Sequence, residues 1–246
     1  MGFEDTLMIP KKIHYCWFGH GEMSDLAVHC IDTWHIHMPD YQYQLWNEDN
    51  FDVNCTEYTK EAYGEGKYAF VSDYVRLWAL EREGGVYLDT DVEVFKSFDD
   101  LLDNKAFVGF EGSKHMPVGT CVMASVPRGE WITEMLEAYH CRHFVKADGT
   151  LDVFTNVQFI SARMSANGFL QNGDEQFYKD LHVYPVDYFS PKHTNGDFIC
   201  TENTYCNHHG VGSWENYDVK WKLFIMKLVG SKNTNRLVKL KRKLFG

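Results

Sequence analysis

Short apolar runs alternate along the chain with longer stretches in which apolar residues recur at helical spacing. Ile13–Phe18 is an apolar run that ends at Gly19, and Val86–Leu88 is another, so both predict buried strands. Between them, the apolar residues of Tyr68–Arg82 recur at the spacing of a helix face. They predict a helix that the glycine pair Gly84-Gly85 ends.

The rest of the chain continues this alternation. The remaining predicted strands lie at 41–46, 92–95, 106–110, 118–124 and 181–184, and the remaining predicted helices at 24–34, 131–145 and 153–164. Because strands alternate with helices through most of the chain, we expect an α/β fold with a mostly parallel sheet flanked by helices. The 246 residues, 44% of them hydrophobic, are enough for one such domain with a large core.

The C-terminal segment differs from the rest of the chain in charge. Residues 220–246 hold nine Lys or Arg and no Asp or Glu, whereas the preceding 219 residues hold 15 bases and 35 acids. This contrast predicts two regions, a domain over 1–216 and a helical basic tail over 217–246. The tail has two interpretations. It lies on an anionic membrane surface through residues 220–246, or it packs on the domain with a solvated basic face.

Charge and cysteine usage disfavour several classes of protein. A net charge of −11 argues against a nucleic-acid binder. No stretch approaches the roughly 18 apolar residues of a membrane span, and the N-terminal residues lack the apolar region of a signal peptide. The seven cysteines form no C-x-x-C pair and therefore predict reduced thiols. We expect a cytoplasmic protein, and membrane contact through the tail would place it at the inner face of the cell membrane.

The segment Asp89-Thr90-Asp91 carries the strongest chemical signal. It follows the predicted strand Val86–Leu88, and ligands of open α/β sheets collect where strands end. On an extended backbone, residues i and i+2 share a face, so both carboxylates are expected to point the same way. Such a pair favours a divalent cation, Mn²⁺ or Mg²⁺, with a diphosphate supplying further oxygens. The alternative, a pair of surface acids in a turn, is disfavoured by the apolar strand before it.

Asp73 and Arg76 form a second candidate element on the predicted helix. At positions i and i+3 they lie on one helical face, and an exposed ion pair there would contribute only about 0.3–0.5 kcal/mol. They interrupt an otherwise apolar helix directly before the Asp-Thr-Asp strand, which favours a functional role. The planar fork of Arg suits phosphate, and Asp suits a ribose hydroxyl or an amine.

Histidine and tryptophan residues supply the remaining candidates. Adjacent His208 and His209 can offer an imidazole to a metal, although in a chain with 12 histidines a loop with incidental His is the competing interpretation. Trp214, after Ser213, can donate its indole N–H to a phosphate oxygen or pack in the core. Trp17, at a strand end before a glycine, can stack on a nucleobase, although a core position is commoner for a single Trp.

Four blocks containing these residues together resemble a known family. They are IPKKIHYCWFG, PDYQYQLWNEDN, YAFVSDYVRLWALEREGGVYLDTDVEVFKSFDDLL and NHHGVGSW. They resemble sugar-transferase family 32 of the D-x-D glycosyltransferases, which includes yeast outer-chain mannosyltransferases and bacterial capsular polysaccharide enzymes. More distantly, they are similar to the glucosyltransferase domains of large clostridial toxins. The resemblance covers residues 9 to 214 and implies a GT-A fold, Rossmann-like, with a metal-dependent nucleotide-sugar site.

The resemblance also implies a role for each candidate residue. On the donor side, Trp17 would stack on the base, Asp73 would touch the sugar or ribose, and Arg76 the sugar or diphosphate. Asp89 would bridge ribose, sugar and metal.

Metal binding and loop closure are implied for the other candidates. Asp91 would bind the metal, and His208 or His209 would complete its ligands. Ser213 and Trp214 would close the C-terminal loop over the β-phosphate, so that Trp214 acts in catalysis with Asp73, Arg76 and Asp89. The chain departs from the family pattern at Gly119-Thr120 and Asn156-Val157, both towards the acceptor side, so the identity of the acceptor does not carry over.

The function implied is transfer of a hexose, with retention of anomeric configuration, from a nucleotide sugar to an acceptor. The toxin-like blocks favour a UDP-hexose donor, and the family favours a glycan or lipid-linked oligosaccharide acceptor in surface polysaccharide synthesis. A metal-dependent nucleotide-sugar phosphohydrolase or nucleotidyltransferase is the main alternative. A non-catalytic binding protein is disfavoured because the acids, Arg76 and the aromatic residues would be idle. A toxin-like transferase that modifies host proteins is the runner-up within the transferases, and the lack of a recognisable delivery domain counts against it.

Overall fold

A computed structural model of the chain describes residues 8–112, 116–191 and 200–210. The chain divides into two units, Met1–His209 and Gly210–Gly246, and all the helices and strands given below lie in the first unit. Ser213, Trp214 and the predicted tail over 217–246 lie outside the described residues. None of the described helices is both long enough and apolar enough to cross a lipid bilayer.

The described elements follow one another in an α/β pattern. The strands are β1 (Lys12–Cys16), β2 (Gln42–Trp46), β3 (Gly85–Leu88), β4 (Val92–Val94), β5 (Ala106–Phe110), β6 (Val118–Ser125), β7 (Gln176–Tyr178), β8 (Leu181–Tyr184) and β9 (Cys206–His208). The helices are α1 (Asp25–His37), α2 (Glu57–Gly64), α3 (Tyr68–Glu83), α4 (Glu130–Glu137), α5 (Asn156–Ala166) and α6 (Val186–Phe189).

Seven strands form the central sheet in the order β2-β1-β3-β6-β5-β8-β7. β1 pairs in parallel with β2 and β3, and β5 pairs in parallel with β8, whereas β6 and β7 run antiparallel to their neighbours. Five of the seven strands therefore run in one direction, which confirms the predicted mostly parallel sheet. β4 and β9 form a separate two-stranded antiparallel ribbon.

Apolar side chains cover both faces of the sheet. On one face, Tyr87 of β3 belongs to the same buried cluster as Val75 of α3 and Trp131 of α4. On the other face, Val86 of β3 belongs to a cluster with Trp34 of α1 and residues of the ribbon. Because successive strand residues point to opposite faces, β3 is buried on both sides, as its unbroken apolar run predicts.

The turn from α3 into β3 depends on glycine. Gly84 and Gly85 both have positive φ, at 64° and 108°, where side-chain-bearing residues are strained. A Cβ at Gly84 would lie 2.6 Å from the Pro127 ring, and one at Gly85 would lie 2.5 Å from the Lys12 carbonyl oxygen. The glycine pair therefore lets the chain reverse within two residues, and β3 delivers the Asp-Thr-Asp segment to the carboxyl-terminal edge of the sheet.

The helix predicted over 131–145 was too long. α4 ends at Glu137, and the segment after it is fixed by Glu61 of α2. The Glu61 carboxylate accepts hydrogen bonds from the backbone N–H groups of Phe144 and Val145 at 2.7 and 2.9 Å. These backbone groups are thus satisfied by a distant side chain instead of a helix.

Other differences concern short or polar elements. The helix predicted from 153 begins at Asn156, where the Thr155 hydroxyl accepts a hydrogen bond from the Gln158 backbone N–H and forms a capping box. The pattern did not predict α2, which has few apolar residues, or the three-residue strands β7 and β9.

Candidate active site

The Asp-Thr-Asp segment lies in a turn directly after β3. The Asp89 backbone N–H donates to the Cys121 carbonyl at 2.9 Å. The Val92 backbone N–H donates to the Asp89 carbonyl at 3.0 Å, which closes the turn. The expectation that an extended backbone aligns the two carboxylates is therefore wrong. The turn brings them together instead: a carboxylate oxygen of Asp89, one of Asp91 and an imidazole nitrogen of His208 all lie within 4.8 Å of one another.

The ribbon places His208 beside this turn. Val92 of β4 is the partner of His208 of β9 in the antiparallel register. The His208 Nε2 atom lies 3.3 Å from the Asp91 Oδ1 atom. Burial alone lowers the pKa of His208, but Cys121 and Asp91 outweigh it and hold that pKa well above its ordinary value. Without a bound cation, an imidazolium paired with a carboxylate is therefore favoured here.

The two adjacent histidines face different acids. The His209 Nε2 atom lies 2.9 Å from the Glu93 Oε2 atom, and the His209 N–H donates to the Asp91 carbonyl at 2.9 Å. Of the pair, His208 is the one that the structure places with both acids of the motif.

The donor set of Asp89, Asp91 and His208 fits a divalent cation. Two carboxylates and one imidazole offer hard oxygen atoms and one nitrogen, which suits Mn²⁺ and, less strongly, Mg²⁺. The three side chains are half-buried, so a cation here would keep open positions for a ligand.

Arg76 is buried beneath the turn and links two acids. Its Nη2 atom lies 3.1 Å from an oxygen of Asp73 and 3.1 Å from an oxygen of Asp89. Its Nη1 atom donates to the Thr120 carbonyl at 2.7 Å, and its guanidinium lies 4.5 Å from the centre of the Tyr87 ring. The interpretation as a solvent-exposed ion pair is therefore wrong, because Arg76 is only 5% exposed. Its contact with a sugar or diphosphate stays a prediction.

Asp73 connects α3 to the start of α5. Its Oδ2 atom accepts a hydrogen bond from the Asn156 N–H at 3.0 Å, and the Asn156 side chain donates to the Asp73 carbonyl at 2.9 Å. Burial raises the pKa of Asp73 to about 6, with Arg76 acting in the opposite direction. Both carboxylate oxygens thus face protein groups, and the predicted contact with the ribose or sugar stays a prediction.

Sequence reasoning missed Tyr87, which helps to hold Asp89. The Tyr87 hydroxyl donates to the Asp89 Oδ1 atom at 3.0 Å. Asp89 is therefore held from two directions, by a phenol two residues before it and by the guanidinium of Arg76. Its position in the sequence offered a signal, because Tyr87 precedes Asp89 by two residues, with the apolar Leu88 between them at the end of the strand.

Trp17 lies at the same edge of the sheet, directly after β1. Its ring belongs to neither buried apolar cluster of the described residues, and its indole N–H donates to the Gly21 carbonyl at 2.6 Å. The side chain is half-buried. The structure therefore argues against a core position for Trp17, which follows β1 at the edge of the sheet where Asp89 follows β3.

Sequence reasoning also missed Glu111 and Cys121. Glu111 follows β5, Cys121 lies in β6, and their ligand atoms are within 4.8 Å of each other and of a His208 nitrogen. Burial raises the pKa of Glu111, opposed by His208 and Arg76. Glu111 lies between Phe110 and a glycine and has no second metal-ligating residue at a regular spacing, so the sequence contains no motif that points to it.

Comparison with known proteins adds a family match. Residues 24–108 match the family model described as "Glycosyltransferase sugar-binding region containing DXD motif". This range includes α1, α3, β3 and the Asp89–Asp91 turn, but not Trp17, Glu111 or His208.

Two curated relatives come from yeasts. Mannosyl phosphorylinositol ceramide synthase SUR1 of Saccharomyces cerevisiae is 29% identical over 206 residues, which are 72% of this chain and 49% of that protein. Inositol phosphoceramide mannosyltransferase 3 of Schizosaccharomyces pombe is 34% identical over 108 residues, covering 41% of this chain and 29% of that protein. The chain spans about half the length of the first relative and less of the second.

Among solved structures, the PaToxG glycosyltransferase has a similar fold. The two chains superpose with a TM-score of 0.52 at 18% sequence identity, over 65% of this chain and 70% of that one. At this identity the likeness concerns the fold alone, which is the GT-A fold expected from the sequence.

Proposed function

We propose that the chain is a glycosyltransferase that moves a hexose from a nucleoside diphosphate sugar to an acceptor hydroxyl, since residues 24–108 match the DXD-containing sugar-binding region of that family. One observation carries this proposal. Asp89 and Asp91, together with His208 from a segment distant in the sequence, present three ligand atoms within 4.8 Å of one another at the edge of the sheet. In open α/β folds this edge is where nucleotides bind.

The proposed cofactor is Mn²⁺, with Mg²⁺ as the alternative. Asp89, Asp91 and His208 would hold it, and a bound divalent cation supplies charge that stabilises a diphosphate leaving group. A nitrogen among the ligands favours Mn²⁺ over Mg²⁺. His208 must release its proton to bind the cation, so cation affinity is expected to fall in acid.

The protein's own residues position the donor. Arg76 and Tyr87 fix the Asp89 carboxylate through contacts of 3.1 and 3.0 Å, so this group is preorganised before substrate arrives. Trp17 offers a half-buried ring on which a nucleobase can stack. We propose that Ser213 and Trp214 close over the β-phosphate, as the family resemblance implies.

In the proposed reaction, the bond between the anomeric carbon and the diphosphate oxygen breaks with its electron pair on oxygen. The acceptor oxygen forms the new bond, and its proton leaves with the diphosphate or the solvent. We propose retention through attack on the same face as the leaving group, with an oxocarbenium-like transition state. Nuclear magnetic resonance of the product, read at the anomeric proton, distinguishes retention from inversion.

Donor and acceptor are proposed at the level of class. A UDP-hexose is the first candidate donor. The names of the two yeast relatives describe mannosyl transfer to inositol phosphoceramide, which supports a mannosyl donor as the second. The proposed acceptor is a glycan or lipid-linked oligosaccharide of surface polysaccharide synthesis. Such an acceptor fits a cytoplasmic enzyme that touches the inner face of the membrane through residues 220–246.

A panel of nucleotide sugars tests the proposal. UDP-hexoses and GDP-mannose are added to the full chain with Mn²⁺, and the thermal midpoint is measured. A true donor raises the apparent stability by mass action. The same panel is then assayed for transfer to oligosaccharide acceptors and, separately, for hydrolysis.

The expected result is stabilisation by one donor that requires Mn²⁺ and is abolished by EDTA. Asp91→Asn should lose the stabilisation while keeping the melting point of the ligand-free protein. No stabilisation by any donor would contradict the proposal. Rapid nucleotide release without an acceptor, at the rate seen with one, would instead support the phosphohydrolase alternative.

Membrane contact has a separate test. The full chain is sedimented with vesicles of anionic lipid and with vesicles of neutral lipid only. Binding to the anionic vesicles that high salt reverses would support contact through the basic segment. Equal recovery with both vesicle types would contradict it.

A further inference from the structure

A second group of ligand atoms lies next to the Asp-Thr-Asp turn. It consists of a carboxylate oxygen of Glu111, the Cys121 sulfur and an imidazole nitrogen of His208, all within 4.8 Å of one another. The three residues come from three different strands or strand ends. β5 and β6 are neighbours in the sheet, and β9 reaches them through its pairing with β4.

The chemistry of this group differs from that of the first. A thiolate, an imidazole and a carboxylate are the ligands that Zn²⁺ takes in proteins, whereas Mn²⁺ and Mg²⁺ favour oxygen. Zinc bonds of about 2.0–2.3 Å place tetrahedral ligand atoms about 3.3–3.7 Å apart. Three atoms already within 4.8 Å need only small side-chain rotations to reach that arrangement.

The backbone around Glu111 leaves space for such a rotation. A Cβ at Gly119 would lie 3.2 Å from the Glu111 Oε2 atom and 3.0 Å from the Gly109 carbonyl oxygen. Glycine at 119 therefore keeps the carboxylate from being crowded. Cys121 is 3% exposed, and its sulfur lies 3.6 Å from the Ser190 hydroxyl and within 4.8 Å of ligand atoms of Glu111 and His208.

We propose that Glu111, Cys121 and His208 form a zinc site that competes with the Asp89–Asp91 site for His208. The imidazole holds one orientation at a time, so zinc bound to Cys121 and Glu111 withdraws His208 from the cation that the donor requires. Zinc therefore inhibits the enzyme. This inhibition rests on the function proposed above, whereas zinc binding itself does not.

Zinc outcompetes manganese at such a site for a general reason. Divalent ions bind nitrogen and sulfur ligands in the order Mn²⁺ below Co²⁺ below Zn²⁺, so low zinc displaces higher manganese where a thiolate is available. Among the described cysteines, Cys121 has both His208 and Glu111 within reach. Cys55, in contrast, is an exposed thiol that offers a matched control.

Binding is tested first without any substrate. Metal-free full chain is titrated with Co²⁺, which replaces Zn²⁺ and shows a thiolate-to-cobalt absorption band when sulfur is a ligand. We expect this band in the wild type and in Cys55→Ser, its loss in Cys121→Ser and its weakening in Glu111→Gln. Added Zn²⁺ should abolish the band. Absence of the band in the wild-type protein overturns the proposal, whatever the variants do.

Inhibition is tested in the Mn²⁺-supported transfer reaction. Zn²⁺ should inhibit the wild type and Cys55→Ser alike, and Cys121→Ser should need about tenfold more zinc for half inhibition. Equal sensitivity of Cys121→Ser and the wild type overturns the competition. Wild-type protein that shows the cobalt band but no transfer with any donor contradicts the proposed function and leaves the zinc site intact.

Discussion

Two histidines, one in the central sheet and one in the β4–β9 ribbon, have opposite surroundings. His14, in the middle of β1, is fully buried, and its Nε2 atom lies 2.8 Å from the Gly84 carbonyl. The Trp46 indole N–H donates to its Nδ1 atom at 3.1 Å. Both nitrogens are therefore satisfied in the neutral tautomer, and burial lowers the pKa of His14 to about 4. In the ribbon, by contrast, the surroundings of His208 raise its pKa.

The difference separates stability from chemistry. His14 is held neutral, and its hydrogen bonds stay within the protein. His208 has Asp89, Asp91 and Glu111 around its imidazole. Carboxylates crowded in this way repel one another, and a bound cation relieves the repulsion. We therefore expect changes at the residues around His208 to alter activity, and changes beneath them or at His14 to alter stability.

The largest expected effect is that of Asp91→Ala. Loss of a cation ligand should lower transfer by about 10³-fold, roughly 4 kcal/mol of barrier, because the cation stabilises the departing diphosphate. The thermal midpoint should change little, since Asp91 is half-buried at the site. Steady-state transfer assays and thermal melts measure the two quantities.

Asp103→Ala is the matched control, because Asp103 is an exposed acid away from the turn. It should keep wild-type transfer. Transfer by Asp91→Ala at the wild-type rate would show that the cation site has been assigned to the wrong residues.

The second largest effect is expected for Arg76→Ala, and it concerns stability. Removing this guanidinium leaves Asp73, which is 8% exposed, without its cation, at a cost of about 3 kcal/mol in unfolding free energy. Urea denaturation measures the loss. Arg82→Ala, on the same helix but exposed and stacked 4.7 Å from the Trp78 ring, should cost less than about 1 kcal/mol. Equal losses for the two variants would refute the buried network.

A pH dependence of stability is expected from His14. The unfolded imidazole binds a proton below about pH 6.5, but the folded one does so only near pH 4. Stability should therefore fall as the pH drops from 6.5 to 4, by about 3 kcal/mol through this residue. The measurement is urea denaturation across this range.

His14→Gln should remove that part of the pH dependence, whatever its stability at neutral pH. The exposed His140→Gln serves as the control and should keep the wild-type slope. An unchanged slope in His14→Gln would mean that His14 is not the group responsible.

The smallest effect is expected for Trp17→Ala. Loss of stacking on the base should raise the donor KM about fivefold, near 1 kcal/mol, with kcat and the thermal midpoint almost unchanged. Trp17→Phe should recover most of the affinity because it keeps an aromatic face. An unchanged donor KM in Trp17→Ala would place the base elsewhere.

The strongly patterned parts of the fold were predictable from the sequence. The helix over Tyr68–Arg82 and the strand over Val86–Leu88 carry clear periodicity and end at glycines, and both are present in the structure. The site was predictable only in part. Asp89, Asp91 and His208 stood out because their residue types and spacing are chemically unusual, and the structure brings them together.

The remaining features arise from contacts that no local pattern encodes. The segment after α4 is held by Glu61 of α2, a helix that is distant from it in the sequence. The sequence pattern predicts a strand end at Asp89–Val92. The chain forms a turn there because the Val92 N–H donates to the Asp89 carbonyl and the Asp89 N–H donates to the Cys121 carbonyl. Glu111 enters the site through pairing of β5 with β6. Each of these depends on chain segments that meet only after folding.

The pairing of Val92 with His208 has a consequence for synthesis of the protein. The matched family region ends at residue 108, and it contains both acids of the turn but not the imidazole that joins them. While the chain is still on the ribosome, β4 has no ribbon partner until residues 206–208 have emerged. A nascent chain that already contains the whole matched region therefore still lacks His208, one of the three residues that we propose to hold the cation. The site is therefore completed only after β9 has been translated.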